Sequence, residues 1–354
     1  KFNVSSTKLF QQLQAVSRVV ASKNSLPILE CVLFELEGET LTLTASDGET
    51  TIRTSLDVEN VEGAGKVAFG SKLMLDTLKE FPEQPLTFAI DDQAFGLNIT
   101  SANGTYTFFG SNGNEYPVMP PFEENCHQFT ISAATLLDAV TKTIFCTADD
   151  ELRPVMNGIN IDLQADHITF VATDAHRLVR YNNTSIFAEE PVSFILPKKP
   201  ANLLRGVLVK EEDDVVVTFG QKNARFEFNR TLIICRQIEG RYPNYNGVIP
   251  QNNTNSVIVD RQTLLNACKR VAVFANNGTS LLKLAISENR IHISSQDIDF
   301  STSGEETIAC SYAGPNINIG FKAPFLIELL SFIASTAVEI RLADSARAGL
   351  ILPV

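Results

Sequence analysis

The chain has 354 residues, 44% of them hydrophobic, and a formal net charge of −12 at pH 7. This length fits two or three domains, and the lack of any run of about 18 apolar residues excludes an ordinary membrane-spanning helix. The acidity of the whole chain argues against simple electrostatic binding of nucleic acid. The sequence starts without an apolar signal segment and its six cysteines are scattered, so we expect a cytoplasmic protein with free thiols.

A threefold repeat organises the predicted elements along the chain. Each repeat begins with a short alternating strand and an amphipathic helix, continues into a strand pair with a strand-ending aspartate, and then has a second helix and further strands. The aspartates are Asp47, Asp174 and Asp297, at steps of 127 and 123 residues. The six predicted helices span residues 6–21, 71–81, 132–145, 197–206, 260–275 and 322–333. Three copies of one domain indicate an architectural role, such as a ring or an arc, before they indicate an active site.

The charges are sorted between the predicted helices and the rest of the chain. The six helices contain twelve Lys and Arg residues against five Asp and Glu residues, so they carry +7 and the remainder carries −19. If the helices share one side, the protein has a basic face that suits a polyanion backbone. The alternative explanation is that Lys and Arg are simply good helix formers.

One short motif has residue types that could support catalysis. Asp174, His176 and Arg177 could act as an acid, a base and an anion clamp, as in a hydrolase. No second carboxylate or nucleophile lies near them in the sequence, and the four histidines show no metal-ligand spacing, so we predict neither catalysis nor a cofactor. Asp47 and Asp297 recur at equivalent positions without a histidine, which favours a structural turn.

Three motifs together resemble the bacterial DNA polymerase III beta subunit family, the sliding clamps. They are Leu26–Leu29, Thr173–Leu178 and Glu239–Tyr245, and the likeness extends over essentially the whole chain. The resemblance implies an α+β fold of three repeated clamp domains, each with two helices packed on two antiparallel sheets, at residues 1–122, 123–250 and 251–354. It also implies a non-catalytic processivity factor of DNA replication: a ring-shaped homodimer with helices lining the channel around duplex DNA. Its implied partners are the replicative polymerase alpha subunit, the clamp loader, and other clamp-binding polymerases and repair proteins.

Helix dimensions test whether one chain could form such a ring. Six helices packed side by side give a perimeter of roughly 60 Å and an opening of about 10 Å, which is too narrow for a duplex. Twelve helices give roughly 120 Å and an opening approaching 30 Å. A closed head-to-tail dimer is therefore expected. A monomeric adaptor that binds only proteins remains the alternative.

The resemblance also implies three sets of site residues. A hydrophobic cleft for short linear peptides, between the second and third repeats, would comprise Met156, Thr173, Ala175, His176, Arg177, Leu178, Pro243, Val248, Ser345, Leu350, Ile351, Leu352, Pro353 and Val354. The joint between subunits would comprise Tyr106, Phe108, Val273 and Phe274. DNA phosphates would contact Lys23, Arg18, Lys72, Lys142, Lys198, Lys199, Lys269 and Lys322.

Ordinary structural roles compete with these assignments. The four joint residues could be core residues, and Leu350–Leu352 could be the last buried strand, which does not exclude a part in the cleft. Two departures from the family pattern concern Gly247, where relatives often have Arg, and Asp150, where a DNA-contacting Gln is common. Since a carboxylate repels phosphate, we do not expect Asp150 to contact DNA.

Overall fold

The computed structural model describes residues 1–354 except 22–25, 92, 118–121, 123–124 and 189. The described part contains six α-helices among antiparallel strands. The helices are Ser6–Val16 (α1), Ser71–Lys79 (α2), Ala133–Thr143 (α3), Lys198–Val207 (α4), Arg261–Ala272 (α5) and Ala323–Phe332 (α6). All six predicted helices are thereby confirmed, although several end earlier than predicted. None of the described helices combines the length and apolar character needed to span a bilayer.

Side-chain caps explain where three of these helices start. Ser5, Ser132 and Asp260 each accept a hydrogen bond from the backbone N–H three residues further on, which satisfies a donor that the first helical turn leaves unpaired. Helix α1 ends at Val16 and passes into a 3-10 turn at Ser17–Val19, whereas the apolar spacing predicts a helix to residue 21.

Contacts divide the chain into two compact units, Lys1–Tyr242 and Pro243–Val354. The strands of the first unit are Phe2–Ser5 (β1), Cys31–Glu37 (β2), Thr40–Ser46 (β3), Thr50–Asp57 (β4), Gly65–Gly70 (β5), Pro85–Asp91 (β6), Gly96–Thr100 (β7), Thr105–Phe109 (β8), Ser111–Asn112 (β9), His127–Ser132 (β10), Gly158–Leu163 (β11), Ile168–Thr173 (β12), Leu178–Asn183 (β13), Val192–Pro197 (β14), Asp214–Phe219 (β15), Asn223–Phe228 (β16) and Thr231–Arg236 (β17).

The first unit contains two repeats that share one sheet. Its three sheets have the strand orders β1-β6-β7-β8, β13-β12-β11-β14 and β10-β15-β16-β17-β4-β3-β2-β5-β9. The last of these joins the repeats where β17 pairs antiparallel with β4, from Thr231 opposite Thr54 to Cys235 opposite Thr50. One hydrophobic core also runs through both repeats. The shared ladder and core explain why these two repeats form a single compact unit.

The second unit holds the third repeat. Its strands are Asn255–Asp260 (β18), Leu281–Ser287 (β19), Arg290–Asp297 (β20), Thr302–Ala309 (β21), Ile317–Lys322 (β22), Ala337–Leu342 (β23) and Leu350–Pro353 (β24). They form a three-stranded sheet, β18-β23-β24, and a four-stranded sheet, β21-β20-β19-β22. Helices α5 and α6 pack on each other and against a core of aliphatic side chains from both sheets.

The predicted fold class is confirmed, since each repeat has two helices and two antiparallel sheets. Repeat boundaries at residues 122 and 250 stay predictions. In β4 the alternation of the strand buries one face, with Thr50, Ile52, Thr54 and Leu56 buried, whereas all six residues of β12 are buried.

Candidate functional site

The three strand-ending aspartates form the same turn in each repeat. The Oδ1 atom of Asp47 accepts the backbone N–H groups of the residues two and three positions on, at 2.9 and 2.7 Å. Asp174 makes the equivalent bonds at 2.9 and 3.0 Å, and Asp297 at 3.0 and 3.2 Å. The structural role predicted for these aspartates is therefore confirmed.

The Arg177 side chain stabilises the turn of the second repeat. Its Nε donates to Oδ2 of Asp174 at 3.0 Å, and its Nη2 donates to the carbonyl oxygen of Phe145 at 3.0 Å. Only 12% of the Arg177 side chain is exposed, and the guanidinium lies over the Phe145 ring. Both oxygens of the Asp174 carboxylate thus accept hydrogen bonds within the turn, which fits a structural role. Among the described residues, no group of His, Cys, Asp and Glu is placed to hold a metal ion.

The remaining cleft residues of the first unit surround this turn. Thr173 ends β12, and its hydroxyl donates to the Arg177 carbonyl at 2.7 Å and accepts from the Ala175 N–H at 3.1 Å. Ala175 has φ +72°, in the left-handed region, and His176 after it is exposed. Met156 and Leu178, which begins β13, are half-buried.

The cleft residues of the second unit lie on an edge strand and two loops. Strand β24 pairs with β23 on one side only, with Leu350 opposite Arg341 and Leu352 opposite Glu339. Leu350–Leu352 are half-buried, so the last strand is structural and still leaves apolar surface open. Val248 is 67% exposed and Val354 61%, whereas Pro243 is half-buried, and Ser345 and Pro353 are exposed.

Gly247 has room for a side chain. A Cβ at this position would lie 3.4 Å from the Asn244 side-chain nitrogen, an ordinary contact, and Gly247 does not have a positive φ. The backbone therefore does not require glycine there.

Two of the predicted joint residues lie on β8, at the edge of its sheet. Tyr106 is 41% exposed and packs edge-on against Phe81, whereas Phe108 is only 7% exposed and belongs to the core. Phe109, which the sequence analysis does not select, is 80% exposed. Strict alternation puts Phe109 on the face of β8 opposite Phe108, and a large apolar residue on an outer face is the signal that could have identified it.

The other two predicted joint residues follow helix α5. Val273 is 78% exposed and Phe274 is 40% exposed. The Phe274 ring lies against Gly304 of β21, where a Cβ would overlap it. Arg270 holds β21 to the helix through a two-point ion pair with Glu306. Ile298 and Phe300, in the turn before β21, are 78% and 74% exposed and add to this apolar edge.

Three of the predicted phosphate-binding cations are already paired with carboxylates. Lys142 contacts Asp138 at 2.7 Å, and Lys198 contacts Asp149 at 2.7 Å. Lys199 pairs with Asp47 of the first repeat, whose side chain is only 7% exposed.

The other predicted cations differ in their surroundings. Arg18, Lys72 and Lys269 are exposed, and the Nζ of Lys322 lies 5.0 Å from the centre of the Phe325 ring. Lys23 lies outside the described residues.

The Asp150 side chain is used within its own loop. Its carboxylate accepts from the Leu152 N–H and from the Arg153 Nε, both at 2.8 Å. These hydrogen bonds, with that of Arg153 the strongest, hold the pKa of Asp150 below its usual range. Asp150 is thus charged near neutral pH, consistent with the expectation that it does not contact DNA.

Comparisons with known proteins match the chain along its length. Models for the N-terminal, central and C-terminal domains of the DNA polymerase III beta subunit match residues 1–120, 130–244 and 246–354. A protein named beta sliding clamp from Synechococcus elongatus is 29% identical, over 95% of this chain and 90% of the relative.

Solved structures agree with this match. The crystal structure of a DnaN sliding clamp from Pseudomonas aeruginosa is similar with a TM-score of 0.95 at 24% identity, over 100% of this chain and 95% of that one. The clamp from Bartonella birtlesii has a TM-score of 0.90 at 26% identity, over 99% and 95% of the two chains. With the same three repeats in the same order, the chain belongs to the DNA polymerase III beta subunit family.

Proposed function

We propose that the chain is a DNA sliding clamp, a closed ring of two copies that moves along duplex DNA and tethers the replicative polymerase without catalysing a reaction. The observation that carries this proposal is the match of all three beta subunit domains, in order, over nearly the whole chain. Family membership makes the chain a non-catalytic subunit, and the engaged Asp174 carboxylate removes the main support for a hydrolase. A cytoplasmic location stays a prediction.

The ladder between β17 and β4 is a template for the joint between two copies. In the third repeat β21 has the place that β4 has in the first, and in the first repeat β8 has the place that β17 has in the second. Both β8 and β21 are edge strands of their sheets, with backbone groups able to continue a ladder. We therefore assign the joint to β21 of one copy and β8 of the other. A twofold axis forms two such joints at once and closes the ring.

The strand registers within the chain support one alignment of the proposed joint. Ile233 and Tyr106 occupy equivalent positions in the second and first repeats. Successive strand pairings across the sheet lead in three steps from Phe129 to Ile233, and in three steps from Phe2 to Tyr106. On β4, Ile52 lies four residues before Leu56, which pairs with Leu41.

On β21 the matching residue is Gly304, four residues before Ile308, which pairs with Ile291. Since Ile52 faces Ile233 in the template, Gly304 is expected to face Tyr106 of the partner subunit.

This alignment explains the apolar side chains left at the two edges. Tyr106 of the partner subunit would lie over Gly304, beside the exposed part of Phe274. Exposed Phe109, on the opposite face of β8, would add a second apolar side chain to the joint on that face. Aromatic side chains at the centre of an interface contribute much of its binding energy, so these rings supply a plausible physical basis for a stable dimer.

The equivalence of the repeats also suggests different roles for the predicted DNA-binding cations. Lys72 is the second residue of α2, as Lys199 is of α4, and Lys199 pairs with the turn aspartate of the neighbouring repeat. We assign Lys72 to the equivalent place beside the turn that begins at Asp297 in the partner subunit. Arg18, Lys269 and Lys322 are then the described cations best suited to contact phosphates, without base readout.

The residues named for peptide binding keep their proposed role, each unit by itself, of holding linear motifs of polymerases and other clients. In the second unit, the open edge and apolar side chains of β24 suit an extended peptide. In the first unit, the hydrogen bonds of Arg177 to Asp174 and to the Phe145 carbonyl stabilise the turn that contains exposed His176.

Retention on circular DNA tests the ring directly. The chain is loaded with a matched clamp loader and ATP onto nicked circular plasmid and onto the same plasmid linearised, and its native mass is measured. A dimer that stays on circles and runs off linear ends is expected. A monomer, or equal retention on both forms that vanishes at high salt, would contradict the ring.

A pair of variants distinguishes loss of the joint between subunits from a general loss of folding. Phe109→Asp is expected to convert the dimer to monomer and abolish retention on circles, because it places a carboxylate where the joint would cover the apolar outer face of β8. Phe187→Asp is the matched control, since Phe187 is also an exposed phenylalanine, at 61%, outside β8 and β21. Equal dimerisation of the two variants would refute the assigned joint.

A further inference from the structure

A cavity of about 540 Å³ lies in the first unit, between the 3-10 turn Ser17–Val19 and the start of α4. Its charged lining residues are Arg18, Lys198, Lys199 and Asp149. Three cations and one carboxylate line this cavity, and Asp47, which pairs with Lys199, adds a second carboxylate beside it, so the excess of positive charge suits an anion. Arg18 is held close to α4, since a Cβ at Gly206 would lie 2.8 Å from its Nη1.

The two lysines of the cavity are bound in different ways. Lys199 pairs with the nearly buried carboxylate of Asp47, which is itself fixed by two backbone N–H groups. Lys198 pairs with Asp149, whose side chain is 81% exposed. An exposed ion pair contributes little to stability, so an incoming anion can displace Asp149 from Lys198 at little cost. The cavity therefore has one fixed lysine and one exchangeable lysine.

We propose that Asp149 is an internal competitor that occupies the place of a DNA phosphate on Lys198. This inference rests on the proposed function and adds a regulating residue to it. Carboxylate and phosphate oxygens both accept charge-assisted bonds from an ammonium group, so one can replace the other. On binding duplex, Lys198 exchanges Asp149 for a backbone phosphate, with Arg18 beside it. Because the contact of Lys198 with a phosphate replaces its ion pair with Asp149, the exchange adds little binding free energy. The protein therefore binds any one phosphate weakly, as movement along the duplex requires.

The proposal predicts an asymmetry between the two partners. Lys198→Ala is expected to change duplex affinity by less than about twofold, because Lys198 gives up an existing ion pair to bind DNA. Asp149→Asn is expected to tighten binding about two- to fivefold at low salt, since the competitor is gone. It should also steepen the slope of log K against log salt concentration, by up to about 0.9 for one added phosphate contact.

Equilibrium binding of a fluorescent duplex of about 20 base pairs over a range of salt concentrations tests this asymmetry. The variants are Asp149→Asn, Lys198→Ala and their combination. Glu62→Gln is the matched control, because Glu62 forms an exposed ion pair with Lys1 and the change in net charge is the same. In the combined variant the gain should disappear.

Two outcomes would overturn the inference while leaving the clamp intact: an Asp149→Asn chain that behaves like Glu62→Gln, or a gain that persists without Lys198. Inorganic triphosphate at matched ionic strength separates the sources of phosphate. Tight triphosphate binding that depends on Lys198 would mark a small-anion site and contradict the assignment to duplex DNA. Failure of the native chain to stay on circular DNA would instead refute the proposed function itself.

Discussion

Replacing Lys199 with Ala distinguishes a junction residue from a phosphate contact. The sequence resemblance places Lys199 among the DNA-binding cations, whereas in the structure it pairs with Asp47 across the two repeats of the first unit. Asp47 has only 7% of its side chain exposed, and its Oδ1 is already used by two backbone N–H groups. Lys199 is the cation that neutralises this carboxylate.

The size of the effect follows from the burial of the pair. Removing a charged partner from a buried hydrogen-bonded group costs about 1–3 kcal/mol. Because 54% of the Lys199 side chain is exposed, water can take over part of its role, and the lower part of that range applies. We expect Lys199→Ala to lower the free energy of unfolding by about 1–2 kcal/mol, a fall in Tm of roughly 2–8 °C for a unit of this size.

Urea and thermal unfolding, followed by circular dichroism, measure this loss. Lys198→Ala is the control from the same helix turn, and its exposed pair with Asp149 should change stability by less than about 0.5 kcal/mol. The slope of duplex affinity against salt should not change in Lys199→Ala. An unaltered unfolding midpoint together with a slope reduced by about 0.9 would show that Lys199 serves phosphate, and would refute the reasoning.

Three further variants or conditions test other parts of the structure. Asp174→Ala should cost about 2–3 kcal/mol in urea unfolding, because Arg177 loses its carboxylate, while Asp174→Asn, which keeps an acceptor for the two N–H groups, should cost less. Gly304→Val should weaken dimerisation about tenfold in sedimentation experiments by displacing the ring of Phe274, and an unchanged dimer would contradict the alignment of the joint. Burial raises the pKa of the Cys235 thiol from 9.0 to about 12, so the unfolded chain loses this proton first and stability should fall as pH rises from 9 towards 12; a Cys235→Ala chain should show a smaller fall.

Local patterns were sufficient to predict most of the fold. Apolar spacing identified all six helices, and the recurrence of Asp47, Asp174 and Asp297 identified both the repeat and the turn. These features depend on residues close in sequence, where periodicity and hydrogen bonding within a turn decide the conformation. The family motifs also predicted the fold class.

Features that depend on distant segments could not be predicted in this way. Lys198 and Lys199 are adjacent and chemically alike, yet one pairs with a residue 49 positions away and the other with a residue 152 positions away. The pairing of β4 with β17 is likewise absent from the alternation of either strand, since an edge strand and a central strand can have the same pattern. In contrast, the alternation of β8 alone is enough to predict that Phe108 and Phe109 face opposite sides, one buried and one exposed.

The ladder between β4 and β17 has a consequence for synthesis of the chain. Thr231 pairs with Thr54, 177 residues earlier. At the usual 5–20 residues per second, a ribosome needs roughly 9 to 35 s to reach β17 after making β4. Throughout that interval β4 of the nascent first repeat has an unpaired edge that only later residues can cover, and such an edge can pair with a neighbouring chain on the same polysome.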